Sequence, residues 1–465
     1  MEEKIVNIFR SLRPAFSREA TFSLFIIAVI GIMLRDDTYG VTSIVRALSL
    51  DQSVYHCLLH LFHSSAWNKD CLLLKWTKFI LAEGMAHEVN GRIVLVADHT
   101  KQPKDARKMP EVTTMRQDSE TSSKPSYFRG HHWGFIALVS CRLAKFVAIP
   151  IWGEIHRDSG EESRSVRLLG KVVELASQTE KSFYLVLDAF FSVGPVIETA
   201  MKSNGSVHVL TRAKKNVTAY EVPTQARKRK RGKPKKYGRK RKLICLFDMK
   251  SSVFEHAKVQ VYQKVEAIRF MTLDLIWKPV KDKVRFFLVE TSKGKIILMT
   301  TDMSLRAEDA IRMYCARAKI ETAFDVFKNL LGGMSYRFWS KYLSPSSRRP
   351  SKNAEPQHSS NPEKTLSTLS AIENFVAATV VAHGILQYIS LSMPEQIIRD
   401  NRCWMRTPPR NIPSEFVTRH AVRACVGGLL KSSGKSWIAC LIQGRQDKRF
   451  DLNSETDIFG KASGF

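Results

Sequence analysis

The stretch YCARAKIETAFDVFK (314–328) carries four polar residues at a spacing that chemistry could use. On a helix turning about 100° per residue, Tyr314, Arg317, Glu321 and Lys328 fall near about 0°, 300°, 340° and 320°, within an arc of about 60°. Apolar Ile311, Ile320, Phe324, Phe327 and Leu331 cluster on the flank, where a core belongs. Asp325 sits at about 20° on the same wheel and rivals Glu321 as the carboxylate of the stripe. Two more carboxylates close short β-branched runs: Asp98 in GRIVLVAD (91–98) and Asp188 in SFYLVLD (182–188). Taken singly, a strand-terminal aspartate is ordinarily a turn former or cap. As a set, three hard oxygen donors suit two Mg²⁺ ions about 3.5–4 Å apart, the arrangement that cleaves phosphodiesters. One ion activates the attacking oxygen and the other stabilises the leaving one, while carboxylates clustered without cations would repel. Asp98 and Asp188 take the shared-metal positions and Glu321 the third.

A polyanionic substrate agrees with the charge. The 465 residues hold 73 Lys and Arg against 44 Asp and Glu, a net +29, with a pI near 9.9. Such an excess points to nucleic acid. The segment RKRKRGKPKKYGRKRK (227–242) holds 12 basic residues and no acid. Without it, 61 Lys and Arg still face 44 acids, so the inference does not hang on that loop. Eight scattered cysteines with no C-x-x-C pair argue for reduced thiols, against a disulfide or zinc framework. The apolar run FSLFIIAVIGIML (22–34) is shorter than the roughly 18 residues of a membrane span, and its flank is unlike a signal peptide. The expectation is a soluble intracellular protein with no membrane partner.

The length points to about three domains. Residues 1–88 read as helical, with apolar residues at helical spacing. His56, His60 and His63 share one face there, without a further ligand spaced to make a metal site. HWGFIALVS and KFVAIPIW read as a hairpin. SGEESRSVRLLGKVVELASQ reads as a helix with an acidic first turn. SFYLVLD is a strand, PVIETAMKSNG a short helix, and SVHVLTRAKKN a strand with a cationic tail. The order β-β-β-α-β-α-β suits an α/β, ribonuclease H-like layered core. Residues 216–301 read as strands: KLICLFDM, KVQVYQKV, AIRFMTLDLIW, VRFFLVET and KIILMTTD. A helix of about 27 residues is then expected, with Ser304 as N-cap and Gly332-Gly333 as its stop. Residues 344–365 are a polar, proline-rich linker, and 366–465 a helical C-terminal region.

Tyr314-x2-Arg317-x3-Glu321-x6-Lys328 resembles the Tyr-(2)-Arg-(3)-Glu-(6)-Lys signature of DDE transposases, in the bacterial insertion-sequence group that includes the Tn-five transposase. VLVADHTKQPKD and YLVLDAFFS are similar to that superfamily's first and second Asp motifs. KPSYFRGHHWGF, LTRAKKN and YRFWSKYLSPSSRRPSKN are similar to a subgroup of DDE superfamily endonucleases. The resemblance covers residues 91–350 well and the N-terminal region weakly. It implies that Glu321, not Asp325, completes the Asp98/Asp188 site, with two Mg²⁺ ions that Mn²⁺ can replace. It implies that Tyr314, Arg317 and Lys328 hold phosphates of the transposon end. Arg212, Lys214 and Lys215 are further candidate phosphate contacts beside Asp188.

By the same resemblance the core, of retroviral-integrase type, comprises 89–215 and 302–343. The β-rich block 216–301 is its insertion, and the basic run 227–242 a DNA-tracking loop. Relatives stack a flipped base on a tryptophan in this insertion. Trp277, the block's only tryptophan, is the candidate, although the residue taken by itself favours packing in a core. His131 and His132 receive no role. The implied protein binds terminal inverted repeats, cuts double-stranded DNA at the ends of an insertion sequence and joins the 3′ ends to target DNA. Residues 1–88 would contribute to end binding and 366–465 to a homodimer, in a bacterial, nucleoid-associated cytoplasmic setting. Two alternatives stay open: a non-transposing metal nuclease of the same fold, and a catalytically silent DNA-binding derivative.

Overall fold

The computed structural model describes residues 1–117, 126–157, 162–223, 235–249, 251–261, 264–347, 357–401, 403–407, 411–431 and 436–447. Five helices come first: α1 (Glu2–Leu12), α2 (Glu19–Leu34), α3 (Val41–Ala47), α4 (Gln52–His63) and α5 (Lys69–Ala82). Asp51 and Asn68 cap α4 and α5 by accepting backbone N–H bonds. Helix α2 is apolar on every side and correspondingly buried from Phe25 to Leu34.

Strands β1 (Glu88–Val89), β2 (Arg92–Pro103), β3 (Thr113–Arg116), β4 (Tyr127–Arg142) and β5 (Lys145–Ile155) follow. Then come α6 (Arg164–Thr179), β6 (Phe183–Leu187), α7 (Gly194–Lys202) and β7 (Val207–Arg212). Strands β2, β4 and β5 form an antiparallel meander, and β6 and β7 join β2 in parallel, giving the order β5-β4-β2-β6-β7. The short pieces β8 (Thr218–Tyr220) and β9 (Lys240–Lys242) precede β10 (Glu255–Val261), β11 (Lys264–Trp277), β12 (Asp282–Thr291) and β13 (Gly294–Thr300). Strand β13 pairs antiparallel with β7, so the block after residue 216 extends the same mixed sheet.

Helices α8 (Ala307–Arg317) and α9 (Lys319–Asp325) run into a π-turn at Val326–Leu330. The chain ends in α10 (Pro362–Ser392), α11 (Pro394–Asp400), α12 (Glu415–Lys431) and α13 (Trp437–Gln443). The sheet separates two cores. Val94, Val96, Tyr184, Val186 and Leu210 face α8 and the start of α9. Ile93, Leu95, Phe183, Leu185 and Leu187 face the remaining helices. Helix α10 is long and apolar enough to cross a membrane by composition, but 94% of its apolar window is buried inside the protein. It packs on β5, α2, α4, α5 and α12 and serves as a core helix.

Several expectations need correction. Strand β2 does not end at Asp98; it runs on to Pro103, because β4 still pairs with it there. KLICLFDM contains a 3₁₀ turn (Leu243–Asp248) instead of a strand. Glu162 precedes the α6 N-cap, Ser163, and leaves no acid in the helix's first turn. The long helix is broken at Ala318 and widened at Val326–Leu330, and it starts without a Ser304 cap. Ser304 donates to Asp302 Oδ1 instead, from Oγ at 2.6 Å. The last residues of the expected linker, from Pro362, already belong to α10. Within 227–242, residues 227–234 lie outside the described residues, as do 348–356 of the linker.

The glycine stop does occur, and one buried cation explains its geometry. Gly332 has φ +62°, and a Cβ there would meet Thr38 Cγ2 at 2.6 Å. Arg35, 1% exposed at the end of α2, donates to the Leu331, Gly332 and Gly40 carbonyls, with Nε to Leu331 at 3.1 Å and Nη1 to Gly40 at 2.9 Å. Burial pushes its guanidinium down to about 10, so it stays charged at neutral pH. Arg35→Ala should cost about 2–4 kcal/mol in denaturant unfolding, since three carbonyls lose their donor, and Arg35→Lys should restore only part. A loss under about 0.5 kcal/mol would contradict that role.

Candidate functional site

Register brings the two aspartates together. In the parallel pair β2–β6, Val96 faces Val186, so two residues further on Asp98 stands beside Asp188, on strands about 5 Å apart. Both side chains follow the alternation of Val94/Val96 and Tyr184/Val186 and project on the α8–α9 side of the sheet. Asp188 stays extended (φ −84°, ψ 176°), and its carboxylate accepts the Phe190 N–H. Thr211 Oγ1 donates to the Asp188 carbonyl at 2.6 Å and ties it to β7.

Helices α8 and α9 supply the rest. Arg317 reaches Asp98 Oδ2 at 3.5 Å with Nη1 and Glu321 Oε1 at 3.0 Å with Nη2. Its guanidinium therefore bridges the first aspartate and the glutamate. The Asp98 side chain is 23% exposed and that of Glu321 63%. Burial pushes the Asp98 carboxyl up to about 6; the Asp188 and Glu321 charges act in the same direction, against the His99 N–H and Arg317. Burial lowers Arg317, but Tyr314, Asp98, Glu321 and Asp188 more than offset it and leave it above its usual value. Among the described residues, no three His, Cys, Asp or Glu side chains are arranged to hold a metal ion. What converges here is an acidic pair, a guanidinium and an exposed carboxylate.

The other candidate residues divide. Lys328, carried by the π-turn, donates to Thr100 Oγ1 at 2.5 Å, two residues beyond Asp98 on the same face of β2. The wheel that put it in phase with Glu321 assumed a regular helix, and the widened turn changes that phase. Tyr314 and Arg317 line a cleft with Arg212 and Lys215, and the cleft also takes in Lys293 from the β12–β13 turn and Lys295 of β13. Lys214 is exposed but does not line it. Asp325 is exposed and accepts from Asn329, away from the cluster. Trp277 is 7% exposed and packed in the core at the end of β11, the packing weighed beside base stacking in the sequence.

His131 is fully buried between Tyr336 Oη (2.7 Å) and the Pro110 carbonyl (2.8 Å). His132 lies with His99 and His156 in a buried imidazole group, ring centroids 4.9–6.4 Å apart. Burial pushes His99 down to about 4 and His156 to about 2, so both are neutral at neutral pH. Sequence reasoning missed Thr100 and Arg35. Thr100 was within reach, because alternation from Asp98 puts it on the same face.

The raised Asp98 value has a sign that can be measured. Its folded-state pKa lies above the unfolded value of 3.8, so the folded chain holds that proton more tightly and loses stability as pH rises from about 4 to 6. Asp98→Asn mimics the neutral acid. Without divalent cations it should be about 1–3 kcal/mol more stable than wild type above pH 6, and the gain should vanish below about pH 4. Equal stability of the two proteins at pH 7 would count against a desolvated carboxylate.

Three comparisons with known proteins bear on the chain. A piggyBac transposase synaptic complex with hairpin DNA, solved by cryo-EM, aligns with 94% of this chain and 78% of its own, at 12% identity and TM-score 0.36. The NurA nuclease from Sulfolobus solfataricus aligns with 62% of this chain and 95% of its own, at 9% identity and TM-score 0.24. Likenesses this distant carry no functional argument. No curated protein matches. Residues 157–338 match the family model of the transposase DDE domain, a span that includes Asp188, Glu321 and the 314–328 helix but begins after Asp98. That matched span is less than half of the chain's length.

Proposed function

We propose that this protein is a DNA transposase that binds the inverted repeats of an insertion sequence, cuts the DNA there and joins the freed 3′ ends to target DNA. The observation that carries the proposal is that Val96 pairs with Val186, two residues before Asp98 and Asp188, while Arg317, inside the matched span, links Asp98 to Glu321. The order β5-β4-β2-β6-β7 supports a ribonuclease H-like reading of the core.

The donor set suits hard divalent cations. Carboxylate oxygens are the preferred ligands of Mg²⁺ and Mn²⁺, and burial with neighbouring acids already strains Asp98 toward protonation, a strain that added positive charge would relieve. Asp98, Asp188 and Glu321 would hold the pair, with Arg317 moving off its bridge to a phosphate. When bound, such ions supply activation of an attacking oxygen and neutralisation of the leaving one. Arg317, Tyr314, Lys328, Arg212 and Lys215 orient the strand, each cation against a phosphate. Each transfer forms one P–O bond and breaks one: water attacks at the transposon end and releases a 3′ hydroxyl, which then attacks a target phosphodiester. Two ends must be handled together, so a homodimer is part of the proposal, as is end binding by residues 1–88.

The guanidinium bridge favours one second reading, a transposase-derived DNA binder that no longer cuts. Mg²⁺-dependent nicking separates the two. Asp98→Ala, Asp188→Ala and Glu321→Ala should each abolish nicking of a DNA carrying the element's ends, while a gel shift still detects binding. Wild-type cleavage rates in any of the three would remove that residue from the mechanism. Lys328→Ala should weaken DNA binding and lower the slope of log affinity against log salt by about one unit. An unchanged slope would mean that Lys328 meets no phosphate.

A further inference from the structure

The segment Ser335–Lys341 belongs to a motif that the proposed chemistry does not use, YRFWSKYLSPSS. Its exposure alternates strictly: Tyr336, Phe338 and Ser340 are buried, while Arg337, Trp339 and Lys341 are exposed. The inward residues fix it firmly. Tyr336 Oη accepts from Trp133 Nε1 at 3.1 Å and bonds His131, and Lys104 Nζ lies 3.7 Å over its ring while donating to the Met334 and Tyr336 carbonyls. Phe338 packs against the rings of Phe62, His63 and Phe375. The outward row, cation–aromatic–cation, is therefore held in place, and Trp339 keeps 64% of its surface exposed.

Trp339 and Arg337 line a groove of about 710 Å³ whose wall includes Gln102 of β2 and Lys328. Gln102 is four residues past Asp98, about 13 Å along the strand and on the same face, so the groove lies further along β2 from the acid cluster, with Lys328 in its wall. A second hollow shares Tyr336 and Arg337 and adds Tyr39, 55% exposed, with Arg337 5.5 Å from its ring and Arg46 5.9 Å from it. Asp37 takes up the Arg46 charge at 2.6 Å, and Asp105 is the one acid among the groove's lining residues. Aromatic faces interleaved with cations are what single-stranded nucleic acid recognises, because every unpaired base offers a π-face and every phosphate a charge. A duplex hides its base faces and cannot use an exposed indole in this way.

We infer that this groove binds unpaired DNA nucleotides leaving the acid cluster, with Trp339 as the stacking platform for a base and Arg337 and Lys328 on the adjoining phosphates. The inference rests on the reading that the acid cluster handles DNA, and it gives Trp339 a positioning role in that substrate's path.

The test uses the full-length protein and two probes: a short oligothymidylate containing one 2-aminopurine, and a blunt duplex. Trp339→Ala should weaken strand binding by about fivefold or more and abolish the quenching of the 2-aminopurine. Duplex affinity should change by less than about twofold, and Trp339→Phe should restore most of the strand affinity. Because the side chain is exposed, the melting temperature should not move. Strand binding by Trp339→Ala at wild-type affinity, or equal losses for strand and duplex, would overturn the inference. Nicking keeps the two conclusions apart. A nicking-competent protein with Trp339-independent strand binding sinks the groove alone; Trp339-dependent strand binding by a protein that never nicks sinks the transposase reading alone.

Discussion

Two carboxylates beside each other in a half-buried setting repel, and much of this molecule is arranged around holding them there. The parallel pairing of β2 and β6 sets Asp98 and Asp188 level, and hydrogen bonds from the Phe190 N–H to the carboxylate and from Thr211 to the carbonyl pin the second. Arg317 answers part of the repulsion by spanning Asp98 and Glu321. Burial, with the Asp188 and Glu321 charges adding to it, raises the proton affinity of Asp98. The sheet, buried on both faces, supplies the rigidity that a repulsive cluster requires.

Support comes from distant parts of the chain. Arg35, near the end of the second helix, closes the carbonyls after the π-turn, nearly 300 residues later in sequence. Arg419 of α12 donates to the Leu330 carbonyl beside it. Lys104 and His131 hold the segment that follows. The helix carrying Glu321 and Lys328 is thus clamped from the N-terminal helices, the sheet and the C-terminal helices together. Its position is set by tertiary contacts more than by its own helical propensity.

The sequence made some of this legible and hid the rest for identifiable reasons. Asp98 and Asp188 stood out because each follows a β-branched run, and their parallel register follows from a β-α-β order. The i, i+4 contact of Arg317 with Glu321 was visible in the spacing and survives the break at Ala318. The phase of Lys328 was not, because no Pro or Gly marks the π-turn, and the Arg35 and Arg419 bonds to the carbonyls at its end come from distant parts of the chain. Trp277 and Trp339 look alike as letters; one ends a strand over the core and the other alternates outward from buried Tyr336 and Phe338, a distinction that only packing reveals. KLICLFDM reads as a strand by composition, yet a 3₁₀ turn there buries Leu243 and Phe247.

The position of α10 bears on how the polypeptide matures. Its buried sides cover α2, α4, α5 and β5, elements that leave the ribosome more than 200 residues earlier. Until residue 392 has emerged, those elements lack the surface that closes their core, so the nascent chain carries exposed greasy faces for most of its synthesis. Closure of that core therefore waits on a helix made late in synthesis.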